Sequence, residues 1–188
     1  MGSLDHSRQS TTKIEDLVKD SGLEPENVSK MICVPSIARH EGVALHCCPE
    51  AVGRDATFLT SLFDACGGVV TLRNESELQT SMMTTCVMGP LYGVMRRNRD
   101  WLMDRSGLSK GEASKLVIRQ YAGAVEQALR FDEDPDRLDD LIEEQTKGGL
   151  NEQALANLDE LGGLAMQDRI MEAVVSRIRG ESDGSLPP

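Results

Sequence analysis

The feature that most constrains the fold is a change in the spacing of apolar residues near residue 74. Before this point, short apolar runs alternate with turns, and after it apolar residues recur at intervals of three and four. Short apolar runs bounded by glycine or proline predict buried strands, whereas the longer spacing predicts amphipathic helices. We therefore expect a mixed α/β region followed by helices only.

The region before residue 74 predicts a helix, two strands, a second helix and a third strand. These elements correspond to the segments KIEDLVKDSGL, SKMICVP, GVALHCCP, ATFLTSLFDACGG and GVVTL. Glycines end both helices, and prolines end the first two strands. An αββαβ unit is thus expected over residues 11–73. Residues 1–10 are polar and are expected to be a disordered leader or tag.

The region from residue 74 to 180 predicts helices throughout. Gly89-Pro90 marks a kink or a new helix, because proline suits the first turn and breaks a helix interior. The sequence Ser109 to Glu112 has the pattern of a capping box. Asp134-Pro135 predicts an N-cap followed by proline at the first helical position. The tail, residues 181–188, is expected to be disordered.

The composition favours packed helices and a second copy of the chain. Aromatic residues make up 3% of the sequence, so the core must be mainly aliphatic, which argues against a sandwich or a barrel. Several helices carry wide apolar faces, which predicts a homodimer. A monomeric helical bundle stays open as the alternative.

Charge and cysteine content narrow the class of protein. The formal net charge of −11 repels phosphate groups, so neither nucleic acid nor an anionic membrane surface is expected as a partner. The sequence contains neither a signal peptide nor a long apolar span. Five cysteines without CxxC spacing predict reduced thiols in a cytoplasmic protein, with no metal site. They are Cys33, Cys47, Cys48, Cys66 and Cys86.

The stretch TKGGLN, residues 146–151, is a candidate anion site. Free N–H groups and the dipole at a helix N-terminus attract an anion, and glycines allow a ligand to approach the backbone. Lys147 adds a positive charge, and Thr146 or Asn151 could cap the helix or donate to a ligand carboxylate. A plain turn is the commoner explanation of a Gly-Gly pair between helices, and both interpretations stay open. The candidate residues are Thr146, Lys147, Gly148, Gly149, Leu150 and Asn151.

The segment TTCVMGPLYGVM, residues 84–95, could form a second wall of such a site. It places Cys86 and Gly89 at the start of a helix, where small residues leave room for a ligand. A proline kink in a packing helix explains the same segment without a ligand.

The segment ICVPSIARHEG, residues 32–42, places Pro35 and Ser36 in a loop after the carboxyl end of a strand. Open α/β folds bind ligands at this position. His40 and Glu41 follow in the same loop and are expected to be exposed to solvent, because adjacent loop residues rarely face one target.

Taken in order, these stretches resemble the C-terminal part of the pyrroline-5-carboxylate reductase family, over about residues 12 to 179. The segments that carry the resemblance are ICVPSIARHEGVAL, FDACGGVVTL, MGPLYGVM, SGLSKGEASKLVIRQYAGAVEQAL and TKGGLNEQALANLDELGG. Each segment alone is unspecific, and their order and spacing make the resemblance specific.

The resemblance implies an α-rich fold. A partial α/β remnant of a Rossmann domain, residues 11–73, would precede an all-helical dimerisation and substrate domain, residues 74–180. It also implies a homodimer that uses NADP or NAD to reduce a cyclic imine such as 1-pyrroline-5-carboxylate to proline. The substrate carboxylate would lie against the glycine-rich turn with Cys86 and Gly89 nearby, and Pro35 and Ser36 would contact the cofactor.

The chain departs from the family pattern in two ways that affect the expected activity and substrate. No G-x-G-x-x-G segment follows a strand, so the chain is expected to be inactive alone, as a fragment or as a protein without its cofactor half. Leu150 stands where the family has threonine after its glycines, Ser36 replaces an asparagine, and Cys86-Val87-Met88 replaces Ser-Gly-Ser. These changes favour a divergent reductase with a more apolar substrate.

Two alternatives remain. One is a non-catalytic dimeric binding or scaffold module that has lost the cofactor domain. The other is the helical domain of a different reductase or of a 3-hydroxyacid dehydrogenase, which has the same architecture and another substrate.

Overall fold

The computed structural model describes residues 12–47, 54–132 and 134–186, which form two compact units. Unit 1 comprises Met1–Cys86 together with Arg169–Pro188, and unit 2 comprises Val87–Asp168. The change in sequence character lies near residue 74, whereas the units divide after residue 86. This difference arises because Leu78 and Met82 belong to the core of unit 1.

Unit 1 confirms the predicted αββαβ order. It contains α1 (Ile14–Ser21), β1 (Lys30–Ile32), β2 (Ala44–Cys47), α2 (Arg54–Asp64), β3 (Val69–Leu72) and α3 (Glu75–Ser81). The strands form a sheet in the order β1-β2-β3, with β1 antiparallel to β2 and β2 parallel to β3. Helix α1 ends at Gly22, whose φ of 67° is the left-handed conformation that glycine tolerates.

The core of unit 1 lies on one face of the sheet. Leu45 and Cys47, which alternate on β2, pack with residues from α1, α3 and the segment after α3. The buried members of this cluster are Ile14, Val28, Leu45, Cys47, Leu78 and Met82. Ile178, near the end of the chain, packs against the same cluster, which ties the C-terminal segment to the sheet.

A buried lysine joins the starts of three elements in unit 1. Lys30 Nζ donates to the Thr12 carbonyl oxygen at 2.5 Å and lies 4.0 Å from a Glu75 carboxylate oxygen. The same Glu75 oxygen accepts the Ile14 N–H at 3.0 Å. Desolvation lowers the pKa of Lys30, and the Glu75 charge opposes this shift. The arrangement holds α1, β1 and α3 together at one point.

Unit 2 is helical in all its regular elements that the structure describes, as predicted. It contains α4 (Met88–Ser106), α5 (Lys110–Ala128), α6 (Arg137–Glu143), α7 (Leu150–Glu160) and the start of α8 (Gly163–Arg179). Helices α4 and α5 pack along each other, and Asn98 Nδ2 donates to the Tyr121 hydroxyl between them at 3.0 Å. Among the described residues of unit 2, Ala113 and Val117 are the buried hydrophobic ones.

Two of the three predicted helix starts are confirmed. Helix α4 begins at Met88, so Pro90 lies in its first turn. Helix α5 has the predicted capping box, in which Ser109 Oγ accepts the Glu112 N–H and Glu112 accepts the Ser109 N–H. The predicted start of α6 is wrong by two residues. Asp136 is its N-cap because Asp134 instead accepts the Asp136 N–H at 3.1 Å and closes a turn.

Unit 2 exposes much of the apolar surface that the spacing predicted. Apolar residues on every helix of the unit are exposed, among them Leu91, Val94, Val125, Leu138, Ile142, Leu158, Leu161 and Leu164. Among the helices that the structure describes, none combines the length and apolarity needed to cross a bilayer. The helical periodicity is therefore right, but the apolar faces are not covered within the unit.

Candidate functional site

The backbone of the turn before α7 requires glycine at two positions, Gly148 and Gly149. Gly148 has a φ of 73°, which side-chain-bearing residues rarely adopt. The Gly149 N–H donates to the Thr146 carbonyl oxygen at 2.7 Å, and a Cβ on Gly149 would lie 2.6 Å from that oxygen. Both glycines are thus required by the turn, whether or not it binds a ligand.

The start of α7 differs from the predicted cap. Gly149 is the N-cap, and no side chain among the described residues caps it. Asn151 does not cap the helix, and its Nδ2 donates to Gln145 Oε1 at 2.8 Å. Thr146 does not cap it either. Within the described residues, the N–H groups of the first turn therefore have no side-chain acceptor at the cap, so they are available to an anion.

A glutamate that the sequence analysis missed lies at this helix start. Glu152 Oε2 accepts the Gly148 N–H at 2.6 Å. Its position, the third of the helix, is that of the glutamate in a capping box, and this spacing could have revealed it. An anionic ligand at the turn would meet the positive charge of Lys147 and the negative charge of Glu152.

Cys86 and Gly89 lie on either side of the start of α4. Cys86 is exposed at the end of the 3-10 segment Met82–Cys86, and its Sγ is 3.8 Å from the Met82 carbonyl oxygen. Gly89 lies in the first turn of α4, and a Cβ there would have no described atom within 4 Å. Packing within the described chain therefore does not require glycine at this position.

Pro35 and Ser36 open the 3-10 segment Pro35–Arg39 that follows β1. Pro35 is exposed and Ser36 is half-buried, while His40 and Glu41 are exposed as expected. A Cβ on Gly42, whose φ is 89°, would lie 2.7 Å from Ser36 Oγ, so the loop closes tightly on this serine.

The predicted site residues lie in separate parts of the chain. Residues 146–151 form one turn of unit 2, and Gly89 belongs to the same unit. Pro35, Ser36 and Cys86 belong to unit 1. Among the described residues, no three His, Cys, Asp or Glu side chains come together as metal ligands would. The assignment of these residues to one ligand site stays a prediction.

A groove between α4 and α5, which the sequence analysis did not identify, is a concave surface of unit 2. Its volume is about 330 Å³. Its lining residues are Tyr92, Met95, Arg96, Arg99, Ser114, Val117 and Ile118. On α4 these follow the spacing of one helix face, so the pattern was available in the sequence. The groove has an apolar floor with two arginines beside it.

No protein-family model matches this chain, and no curated protein matches it. Solved structures do share its fold. A pyrroline carboxylate reductase from Plasmodium falciparum, solved with NADP bound, has a TM-score of 0.70 and 19% identity. A pyrroline-5-carboxylate reductase from Coxiella burnetii has a TM-score of 0.74 and 19% identity.

These two structures match 93% and 89% of this chain, and the chain spans 68% and 62% of their respective lengths. The resemblance in fold that the sequence predicted is confirmed, as is the order of an α/β part followed by a helical part. At this level of identity the likeness establishes the fold alone.

Proposed function

We propose that this chain is the substrate-binding and dimer-forming part of an NAD(P)-dependent reductase. The reaction would reduce the C=N bond of a cyclic imino acid, such as 1-pyrroline-5-carboxylate, to proline. The observation that carries the proposal is the fold match over 93% and 89% of the chain to two pyrroline carboxylate reductases. The start of α7, which no side chain among the described residues caps, supports it.

The turn before α7 would hold the substrate. The N–H groups of Leu150 and Asn151 and the charge of Lys147 would receive the carboxylate. Leu150, whose exposed fraction is 83%, would contact the apolar ring. Glu152 adds a negative charge beside the turn, which suits a ligand that carries both a carboxylate and a protonated nitrogen.

The nicotinamide cofactor would supply the hydride, and this chain would contact only its nicotinamide end. Pro35 and Ser36 lie in the tight loop after β1, where they would contact the nicotinamide side. The 188 residues contain no G-x-G-x-x-G segment to cradle a pyrophosphate, so those contacts would come from outside them. The role of this chain would be to bind and orient the substrate.

The partner in this proposal is a second copy of the chain, bound through the apolar faces that unit 2 leaves exposed. A reducing compartment such as the cytoplasm is proposed for the protein, because Cys33 and Cys86 are exposed thiols. Neither nucleic acid nor membrane is proposed as a partner for so acidic a chain.

A non-catalytic dimeric binding module is the second candidate. It is favoured by one observation, which is that Glu152 already accepts a hydrogen bond at the turn where the substrate carboxylate would bind. In that case the Glu152 carboxylate would complete the helix start within the chain, and the turn would bind no ligand.

The test is to fuse the nucleotide-binding domain of a pyrroline carboxylate reductase to the N-terminus of the chain. We expect NADPH oxidation that depends on 1-pyrroline-5-carboxylate. Lys147→Ala should raise KM about tenfold, since it removes one charge that faces the carboxylate. Lys115→Ala, which removes an exposed lysine on α5, is the matched control and should leave KM unchanged.

A fused protein that binds NADPH in calorimetry and oxidises none with the imine would contradict the reductase proposal and support the binding module. Equal KM values for the two lysine variants would contradict the role of the turn.

A further inference from the structure

The segment that follows α8 turns back against the helix. Helix α8 ends at Arg179, and Gly180 follows with a φ of 75°. The Gly180 N–H donates to the Arg177 carbonyl oxygen at 3.0 Å, and the Glu181 N–H donates to the Ser176 carbonyl oxygen at 2.9 Å. This pair of hydrogen bonds is the Schellman motif, which reverses the chain at the end of a helix.

Local hydrogen bonds hold the shape of this segment. Ser182 Oγ accepts the Gly184 N–H at 3.1 Å, and the Asp183 carboxylate accepts the Ser185 N–H at 2.8 Å. Gly184 has a φ of 85°, and a Cβ there would lie 2.9 Å from Cδ of Arg177 on α8. The segment therefore packs closely on the helix, and glycine at position 184 allows this approach.

The segment and α8 form a cleft in unit 1. Its volume is about 340 Å³, which is at the lower end of the range for small-molecule sites, roughly 300–1,000 Å³. Its lining residues come from one face of α8 and from the segment after it. They are Arg169, Glu172, Ala173, Ser176, Ser182 and Ser185, and we call this site the α8 cleft. All of them belong to unit 1, whereas the glycine turn before α7 belongs to unit 2.

The α8 cleft carries one charge of each sign. Arg169 supplies a guanidinium with five N–H donors, and Glu172 supplies a carboxylate that only accepts. Because the two residues are three apart on α8, their Cβ atoms lie roughly 5–6 Å from each other. The serines of the cleft add hydroxyl groups, which both donate and accept. The cleft therefore suits a small ligand that has both charges and a further polar group.

Other classes of ligand fit the α8 cleft less well. A phosphate would meet the Glu172 carboxylate, in a chain whose formal net charge is −11. An apolar ligand would deprive the serine hydroxyls and both charged groups of the hydrogen bonds that they make with water. A zwitterion avoids both costs.

We propose that the α8 cleft binds a free polar α-amino acid, with its carboxylate on Arg169, its ammonium group on Glu172 and its side chain against the serine hydroxyls. Both charged groups of an α-amino acid are attached to one carbon atom, so a single small molecule reaches both residues. An arginine fork holds a carboxylate through two parallel hydrogen bonds. This inference does not rest on the proposed function, whose substrate would bind in unit 2.

Titration of the isotope-labelled full chain with L-glutamine tests the site. The amide resonances of Ser176, Ser182 and Ser185 should shift saturably, with a Kd of about 1 mM, as expected from a few charge-assisted hydrogen bonds. N-acetyl-L-glutamine lacks the ammonium group, and L-glutaminamide lacks the carboxylate. Each analogue should bind about tenfold more weakly than L-glutamine, because one charged contact is lost.

Two variants assign the charged contacts. Glu172→Gln should weaken the binding of L-glutamine about tenfold and abolish its advantage over N-acetyl-L-glutamine. Arg169→Gln should abolish the advantage over L-glutaminamide in the same way. A substitution that only disturbed the fold would weaken all three ligands alike. Glu26→Gln, at an exposed glutamate of unit 1 outside the cleft, is the matched control and should leave Kd unchanged.

Unmoved amides at the three serines, or equal Kd values for L-glutamine and both analogues, would overturn the inference. Shifts confined to residues 148–152 would also overturn it, since they would place the amino acid at the glycine turn. Variants that keep the full preference for L-glutamine would contradict the roles of Arg169 and Glu172. NADPH oxidation by the fused protein is measured independently, so failure of the α8 cleft leaves the proposed function intact.

Discussion

His46 is a titratable side chain that the fold of unit 1 buries completely. It lies on β2 with no exposed surface, and neither ring nitrogen has a hydrogen-bond partner among the described residues. Its neighbours in register on β1 and β3, Met31 and Thr71, carry no charge. Burial therefore lowers the pKa of His46, because the protonated ring would lose its hydration.

The lowered pKa of His46 predicts a loss of stability in mild acid. In the unfolded chain the ring protonates near pH 6.5, whereas the folded chain takes up the proton only at lower pH. The unfolded state therefore binds more protons below about pH 6.5, and the free energy of unfolding falls there by up to about 1.4 kcal/mol per pH unit. Above that pH the contribution is constant.

Urea denaturation between about pH 5 and pH 7 measures this slope, in a window above the usual carboxylate range. His46→Leu should remove it, and His40→Gln, at an exposed histidine in the same unit, should retain it. A slope that persists in His46→Leu would assign the acid sensitivity to another group.

At the scale of elements, the turn between α6 and α7 depends on the backbone of one glycine. A Cβ at position 149 would meet the Thr146 carbonyl oxygen at 2.6 Å, and no side-chain rotation relieves a contact with backbone. Gly149→Ala should therefore lower the free energy of unfolding by about 1–2 kcal/mol, the range for the loss of a helix cap or a strained backbone. Thermal denaturation measures the effect.

Gly123→Ala makes the same substitution at a position where alanine should raise the free energy of unfolding. Gly123 lies inside α5, and a Cβ there has no described atom within 4 Å. Alanine should stabilise this helix by up to about 1 kcal/mol. Destabilisation by Gly123→Ala, or none by Gly149→Ala, would contradict the account of these two positions.

The sequence predicted the order of elements well because turn residues are local signals. Gly22 and the Ser109–Glu112 capping box lie where predicted, since a short segment determines each. The directions of the strands were not predictable, because strands of three or four residues carry little information about their partners. The start of α6 was misplaced because Asp134 and Asp136 are both good capping residues.

The candidate site was predictable only in part, because local sequence signals determine its turn but not its other contacts. The glycine turn is encoded locally, and a helix begins directly after Gly149 as predicted. Glu152 was missed although it has capping-box spacing, and His46 was overlooked inside an apolar run. Apolar spacing predicts that a helix has an apolar face, but it does not tell what covers that face.

For the molecule as a whole, the fold and the exposed apolar surface both support the proposed role as a dimeric part of a reductase. The chain shares its fold with two pyrroline carboxylate reductases over most of its length, and its helical unit leaves apolar faces uncovered. In the proposed function, a second copy of the chain would cover these faces. The proposed substrate site lies at the glycine turn, where α7 starts.

The most direct measurement is a titration of the isotope-labelled chain with L-proline, followed by the amide resonances of residues 148–152. Our account predicts saturable shifts of the Leu150 and Asn151 amides, and much weaker shifts with prolinamide, which lacks the carboxylate. Lys147→Ala should weaken the response to L-proline. Unmoved amides at this turn, or equal shifts with L-proline and prolinamide, would contradict the claim that the turn binds a carboxylate.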